Sequence, residues 1–183
     1  IGEDIDNETL GGAKTQTEIS GVIDYPCKDD EHALKTIRDL ASHWGETPTD
    51  AKFSRSNSKE PNGLTPSSIL PDNRTQPYEC RDLIKSIVDG GSFTEHKKTY
   101  GKTIVCGYAR IDGWSVGIVA NQRNTVKSSK DGLQFGGVIY SDSANKAARF
   151  VMTCNQKNIP IVFLQDVTGF MVGSRSEHNG IIK

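Results

Sequence analysis

The chain has 183 residues, of which 34% are hydrophobic and 25% are charged, and its formal net charge is −1. This balance excludes the strongly basic composition typical of nucleic-acid binding and the low hydrophobicity typical of disordered chains. No apolar run approaches the ~18 residues that a membrane-spanning helix needs, and no signal-peptide pattern is present. We therefore expect a soluble protein without nucleic-acid or membrane partners, comprising one large domain or parts of two.

The first segment predicts a short helix and a short strand. A helical pattern covers Asp6–Ala13, with Asp6 or Asn7 as its N-cap. The pair Gly11-Gly12 could cradle a phosphate or an oxyanion, although ending the helix is its more frequent meaning. A strand is predicted over Gly21–Tyr25.

A second, clearer helix begins at Asp29 or Asp30 and ends at Gly45. His32 and His43 belong to it, and we expect both on the surface. Apolar residues recur at helical spacing at Ala33, Leu34, Ile37, Leu40, Ala41 and Trp44.

Residues 46–76 have the composition of a linker between two structural units. The stretch is rich in Ser, Asn and Lys, contains several prolines and has few large apolar residues. A helix follows over Tyr78–Val88 and is stopped by Gly90-Gly91.

A β-hairpin is predicted next. Thr103–Ile111 and Trp114–Ala120 are rich in β-formers and flank Asp112-Gly113, a dipeptide typical of two-residue hairpin turns. Gly107 and Gly117 within these strands indicate close approach of another backbone.

Residues 121–137 are polar and basic and predict a long loop. Arg123, Lys127 and Lys130 could contact phosphate groups, or they could be ordinary solvated charges. Ser141 or Asp142 then caps a helix over Ala144–Asn155.

The last strand leads into our candidate site. Ile159–Leu164 is a continuous apolar run that predicts a strand buried on both faces. The loop Thr168–Ser174 carries two glycines, and its apolar residues have no obvious place to bury. The spacing of Ser174 and Glu177 then fits a capped helix start. Ligands in α/β folds bind where strands end and helices begin, so we predict a site here. A simple chain turn is the alternative.

The same stretch matches the D-x-x-G signature of GTPases at Asp166–Gly169. That interpretation requires an upstream phosphate loop, G-x-x-x-x-G-K-[ST]. The nearest candidate, His96–Thr103, starts with His and precedes a strand pattern, so we reject a GTPase.

Several short motifs occur through the chain in a specific order. They are Glu8–Ala13, Ser20–Val22, Asp30-Glu31, Gln76–Tyr78, Ile118–Asn121, Lys146–Val151, Asn158–Pro160, Asp166–Phe170, Gly173, Glu177 and Gly180. In this order and spacing, they resemble the carboxyltransferase (β) subunits of biotin-dependent acyl-CoA carboxylases. The Thr-Gly-Phe-Met-Val-Gly run is most similar to the methylcrotonyl-CoA branch.

The resemblance implies an α/β, crotonase-like fold, built from spiralling ββα units, with two such domains per subunit. Residues 1–45 would end the first domain, 46–76 would form the linker, and 77–183 would be the first half of the second domain. The absence of an initiator Met and the stop at Lys183, where a helix pattern begins, agree with an internal piece.

The activity implied by the resemblance is transfer of a carboxyl group from carboxybiotin to an acyl-CoA. Relatives of this kind form hexamers and work with biotin carboxylase and biotin carrier partners, in the cytoplasm or, in eukaryotes, the mitochondrial matrix. Backbone N–H groups stabilise the enolates in the family, and biotin carries the chemistry. Both N–H pairs would lie outside this chain, so we expect no catalytic residue within it.

The resemblance also implies which residues contact biotin. Thr168, Gly169, Phe170, Met171 and Gly173 would line the biotin side of the pocket, with Gly169 allowing close approach of ligand and backbone. In the first segment, Gln16 and Asp24 stand where relatives often carry histidine, which makes that segment mainly structural.

Two alternatives remain open at this stage. A biotin-dependent acyl-CoA decarboxylase subunit would run the transfer in reverse. A non-catalytic crotonase-like interaction domain would share the packing motifs without needing the pocket loop.

Overall fold

The computed structural model describes residues 2–44, 56–73 and 75–182. Its centre is a four-stranded sheet in the order β1-β2-β3-β7. The first three strands are antiparallel, whereas β7 pairs with β3 in parallel. Two small two-stranded sheets, β4-β5 and β6-β8, lie outside it. The strands are β1 (Thr94–His96), β2 (Ile104–Ile111), β3 (Trp114–Asn121), β4 (Val126–Ser128), β5 (Gly132–Gln134), β6 (Val138–Ile139), β7 (Ile161–Leu164) and β8 (Gly169–Phe170).

Six α-helices and one π-helical segment at Thr15–Ile19 accompany the strands in the described ranges. Asp29 is the N-cap of α2, and Asp6 is that of α1, so both predicted caps are confirmed. The predicted stop at Gly45 lies outside the described residues. The helices are α1 (Asn7–Gly11), α2 (Asp30–His43), α3 (Pro66–Ile69), α4 (Cys80–Ile87), α5 (Ser141–Gln156) and α6 (Ser174–His178). None of the helices that the model describes is both long enough and apolar enough to cross a membrane.

The sheet separates two apolar cores. Successive side chains of β2 point to opposite faces, so Val105 and Ala109 belong to one core and Cys106 and Tyr108 to the other. Helix α4 covers the first face, and α5 covers the second. The first core contains Cys80, Ile84, Val88, Val105, Ala109, Val116, Ile118 and Ala120, and the second contains Ile104, Cys106, Tyr108, Val119, Phe150, Cys154 and Ile159.

The hairpin β2–β3 is confirmed with its predicted turn. Asp112 and Gly113 have φ angles of 49° and 76°, the left-handed pair that a tight hairpin turn requires. Gly117 is needed because a Cβ there would lie 2.7 Å from Cys154 Sγ. At Gly107 a Cβ would lie 2.6 Å from the carbonyl oxygen of Thr94, so backbone approach is confirmed there.

The predicted strand at Gly21–Tyr25 is wrong. This segment bonds to the turn after β1 instead of joining a sheet. The carbonyl oxygen of Asp24 accepts from the backbone N–H of Lys97 at 3.1 Å. The buried Lys97 ammonium donates to the Gly21 carbonyl and pairs with the Asp24 carboxylate. A lysine that must satisfy its charge inside the protein therefore holds the segment.

Three local predictions near the site also need correction. The region 121–137 contains the hairpin β4–β5, because cross-strand pairing organises a stretch that has little apolar periodicity. Helix α5 starts at Ser141 after the N-cap Tyr140, whose N–H donates to Ser143 Oγ at 2.9 Å. Gly173, not Ser174, is the N-cap residue of α6.

Strand β7 is not buried on both faces in this chain. It occupies the edge of the four-stranded sheet, and Phe163 is 60% exposed.

His43 is buried, which corrects the expectation of a surface position. Its Nδ1 lies 3.2 Å from Ser115 Oγ, and its ring stacks on Tyr108. The Ser115 hydroxyl also donates to the His43 carbonyl oxygen at 3.0 Å. The end of α2 is thereby fixed to β3, 72 residues further along the chain.

Acid should destabilise the protein partly through His43. Burial, together with the nearby Arg110, lowers the pKa of His43 from 6.5 to about 4, although Asp39 opposes this. The unfolded state therefore binds a proton between these pH values that the folded state does not. Stability should fall as the pH drops through this window, by up to ~1.4 kcal/mol per pH unit for one proton.

The check is the melting temperature of the full-length protein between pH 7 and pH 4.5. His43→Gln should flatten the profile, whereas His32→Gln, at an exposed position, should leave it parallel to wild type. Since burial also lowers the pKa of His96 to about 4, some slope should remain in His43→Gln. Identical slopes in His43→Gln and wild type would contradict the assignment.

Candidate functional site

The candidate loop starts where β7 ends, beside the end of β3. Leu164 pairs in register with Ala120, and the Asp166 N–H then donates to Asn121 Oδ1 at 3.1 Å. The Asp166 carboxylate accepts from Tyr78 Oη at 3.0 Å and lies 3.4 Å from Arg123 Nε. Asp166 is therefore held from three sides, and the loop leaves the sheet in a defined direction.

Tyr78 is suited to this anchoring role. Burial and the hydrogen bond to Asp166 raise the pKa of Tyr78 to about 12. The hydroxyl consequently stays protonated at physiological pH and remains a donor to the carboxylate.

The second part of the loop is strand-like. Val138 and Ile139 pair in parallel with Gly169 and Phe170. The bonds continue on both sides, since the Thr168 N–H donates to the Gly137 carbonyl and the Met171 N–H to the Ile139 carbonyl, each at 2.8 Å. Backbone pairing with β6 therefore fixes the shape of this loop. The side-chain pattern of the sequence does not predict this pairing.

Two glycines let β6 reach this position. A Cβ on Gly136 would collide with the carbonyl group of Arg123. Gly137 has a φ of 73°, and a Cβ there would meet the Arg123 guanidinium and lie 3.3 Å from Thr168 Oγ1. The backbone around Gly136 therefore passes too close to the Arg123 backbone for any side chain to fit between them, so only glycine can occupy this position.

A cavity of about 290 Å³ opens after the segment of the loop that pairs with β6. Its walls come from the end of the loop, the start of α6, the residues before α5 and the tip of the β4–β5 hairpin. The lining residues are Asp131, Tyr140, Ser141, Met171, Val172, Gly173, Ser174, Arg175, Ser176 and Asn179. Val172 is 77% exposed and Phe170 is 52% exposed, so the apolar residues of the loop do face solvent in this chain.

The predicted pocket residues divide into two groups. Met171 and Gly173 line the cavity, whereas Thr168, Gly169 and Phe170 lie in the segment paired with β6 that leads to it. Gly169 does not have a positive φ, and a Cβ added to it would meet nothing within 4 Å. The space into which a side chain at Gly169 would point is therefore empty.

The three candidate phosphate contacts occupy different surroundings. Arg123 pairs with Asp166 as described. Lys127 is exposed on β4, and Lys130 lines a neighbouring cavity of about 110 Å³ with Asp131 and Asp142. Their role as phosphate ligands stays a prediction.

Sequence reasoning missed six residues of the cavity wall, which are Asp131, Tyr140, Ser141, Arg175, Ser176 and Asn179. Asp131 and Tyr140 come from the region interpreted as a featureless loop and from the position before α5. Ser141 was assigned only as a cap, and Arg175 only as part of a helix start. Tyr140 is also a structural tie, since its hydroxyl accepts from the Phe135 N–H at 3.0 Å.

The sequence of the chain matches a known protein family. A family model described as the carboxyl transferase domain matches residues 1–183. This chain belongs to the carboxyl transferase domain family. The methylcrotonoyl-CoA carboxylase β chain of Arabidopsis thaliana is 40% identical over 191 residues, covering 100% of this chain and 30% of that protein. A probable methylcrotonoyl-CoA carboxylase β chain of Drosophila melanogaster is 39% identical over 199 residues, covering 100% and 32%.

A solved structure agrees with this assignment. The transcarboxylase 12S hexamer, with hydrolysed methylmalonyl-coenzyme A bound, matches with a TM-score of 0.84 and 38% identity. The match covers 99% of this chain and 34% of that chain. The predicted crotonase-like α/β fold and the resemblance to carboxyltransferase subunits are confirmed. The carboxyl transferase segment described here spans about a third of the length of these relatives.

Gly136 should be intolerant of any side chain, whereas Gly169 should tolerate one. We expect Gly136→Ala to lower the free energy of unfolding by ~1–3 kcal/mol, because the added methyl group collides with the Arg123 backbone. Gly169→Ala is the matched control and should leave stability nearly unchanged. Denaturant titration of the full-length protein measures both, and equal losses would refute the close approach to Arg123 as the constraint.

Proposed function

We propose that this chain is the part of a biotin-dependent acyl-CoA carboxylase's carboxyltransferase subunit that builds the biotin side of the active site. The observation that carries the proposal is the cavity after β7, walled by Met171–Gly173, in a chain of the carboxyl transferase family. Its position beyond the carboxyl end of a parallel strand is the usual one for ligands in α/β folds.

The lining chemistry fits a small bicyclic ligand with one polar edge. Met171 and Val172 supply an apolar wall, and the Tyr140 and Ser141 hydroxyls supply polar contacts. The volume is near the lower end of the ~300–1,000 Å³ of small-molecule sites. Biotin, when bound, would carry the carboxyl group. This chain's residues would hold its ring, orient it and exclude water, and Gly169 would leave room beside the backbone.

We further propose the domain division stated from the sequence, with residues 1–45 ending one domain, 46–76 linking, and 77–183 beginning the next. The exposed side of α2 supports it. Leu34 is 53% exposed and Ile37 is 61% exposed, although Leu40 packs into the second core. An apolar helix side that the described chain leaves uncovered is what a helix shared with another domain would show.

The proposed partners follow from the same family. We propose acyl-CoA as the substrate, biotin carboxylase and biotin carrier as partners, and a hexamer as the assembly. The solved transcarboxylase 12S supports the assembly and the coenzyme A thioester, since its structures are described as a hexamer and one of them has methylmalonyl-coenzyme A bound. Two relatives are named as mitochondrial, which supports the matrix as one location. We propose Lys127 and Lys130, which are both exposed, as phosphate contacts.

Gly169→Val in the full-length subunit tests the biotin side. The branched side chain would enter the open space beside Gly169, so kcat for carboxyl transfer should fall by ~10-fold or more, since a small misplacement of reacting groups costs this much. Acyl-CoA affinity should change by less than a few-fold, because the other domain would bind it. Melting temperature and oligomer size, measured on the same preparation, should match wild type. An intact assembly with a wild-type transfer rate would contradict the pocket assignment.

The 183-residue chain alone should show no carboxyltransferase activity. Both oxyanion-stabilising elements would lie outside it, and loss of one donor alone typically costs about 10²–10³ in rate. The measurement is carboxylated product from an acyl-CoA and chemically carboxylated free biotin, with the full-length subunit as the positive control. Product formation by the 183 residues would overturn the division of the site.

A further inference from the structure

The hairpin β4–β5 has a firmly anchored base. Among the residues that the structure describes, its two strands pair with each other alone, as a separate two-stranded sheet. Gln134, at the end of β5, is buried, and its Nε2 donates to the Asp142 carboxylate at 3.2 and 3.3 Å. Lys102 Nζ donates to the Lys127 carbonyl oxygen at 2.9 Å. The base is therefore fixed to the start of α5 and to the segment before β2.

The tip of the hairpin reaches two other parts of the molecule. Ser129 Oγ donates to Glu18 Oε2 at 2.6 Å, which connects the tip to the π-helical segment. An Arg175 guanidinium nitrogen donates to Asp131 Oδ1 at 2.5 Å, which connects the tip to α6. Arg175 has a side chain that is 70% exposed. A two-stranded hairpin has little stability of its own, so these contacts set where its tip lies.

The Asp131–Arg175 ion pair lies on the candidate cavity. Both residues line it together with Met171 and Gly173. Asp131 comes from the hairpin and Arg175 from α6, so the ion pair joins two separate walls of one site. Asp131 and Arg175 are 44 residues apart in the sequence, so this contact is long-range.

We propose that Asp131 is a positioning residue of this site, which sets the width of the cavity by holding the hairpin tip against Arg175. Exposed ion pairs are weak, so the tip can release while the buried Gln134 anchor keeps the base in place. The Ser129–Glu18 contact ties the same tip to the first segment, so a displacement of that segment reaches the cavity wall through the hairpin. The proposal rests on the proposed function for the identity of the ligand, biotin, but not for the contact itself.

The test compares variants of the full-length subunit. Asp131→Asn removes the charge at nearly constant size, Asp131→Glu retains it, and Asp72→Asn is a control at an exposed position outside the cavity. The first measurement is amide hydrogen exchange of residues 126–134. The second is the KM for free biotin, and separately for acyl-CoA, in carboxyl transfer between a carboxylated acyl-CoA and free biotin.

We expect Asp131→Asn to speed exchange in the hairpin and to raise the KM for biotin about two- to fivefold, the range that an exposed ion pair supports. The kcat and the KM for the CoA thioester should stay within about twofold, and high salt should reduce the difference from wild type. Asp131→Glu should restore both readouts, and Asp72→Asn should behave as wild type. A purely structural surface contact would change melting temperature without the selective change in biotin KM.

Two results would overturn the proposal: unchanged hairpin exchange in Asp131→Asn, or faster exchange with an unchanged KM for biotin. Glu18→Gln provides a second variant in case Asp131→Asn fails to fold, and it should speed exchange at the tip in the same direction. If wild-type protein transfers no carboxyl group to biotin, the proposed function fails. The exchange measurement then still decides whether Asp131 holds the hairpin.

Discussion

The parallel pairing of β3 with β7 is the constraint on which the site depends. Four residues of each strand pair, and the Gly117 N–H donates to the Pro160 carbonyl oxygen at 2.8 Å just before them. Parallel neighbours require a crossover, which α5 supplies by packing on one face of the sheet. The pairing brings Asn121 beside Asp166, so the loop leaves the sheet at the same edge as the end of β3. Without this pairing, the loop that forms one wall of the cavity would not be held beside the end of β3.

Buried lysines hold the first segment and the residues before β2 onto this frame. Lys97 is 2% exposed, and its ammonium reaches the Gly21 carbonyl and the Asp24 carboxylate. Lys146 is fully buried, donates to the Tyr100 carbonyl at 3.0 Å, and burial lowers its pKa to about 8. Removing either set of acceptors would leave a buried cation unpaired, which is far more costly than losing an apolar contact. The first segment is therefore positioned by polar contacts as well as by Leu40 and Trp44 in the second core.

Local signals explain which predictions are confirmed. The α2 helix follows from apolar periodicity and its Asp29 cap, α4 follows from its apolar side and the glycines after it, and the β2–β3 hairpin follows from Asp112-Gly113 between β-rich strands. The candidate loop was selected because a change from apolar strand to Gly-containing loop is visible in the sequence itself. The Gly21–Tyr25 segment has the local pattern of a strand. In the structure, however, its Gly21 and Asp24 carbonyl oxygens accept hydrogen bonds from Lys97 and not from a neighbouring strand. Competition between backbone partners far apart in sequence cannot be seen in either stretch alone.

The sequence by itself determined helices α1, α2 and α4, most of α5, the central hairpin, the place of the candidate loop and, through motifs in order, the family. These depend on residues within a few turns of one another or on short ordered matches. Helix α3 lies within the predicted linker and was not predicted. Only the tertiary structure decided that Met171 and Gly173 line the cavity while Gly169 lies on a paired strand. It also placed Asp131 beside Arg175 and buried His43 against Ser115. The physical reason is that these contacts join residues 44 and 72 positions apart, and their partners are chosen by sheet register and chain crossing.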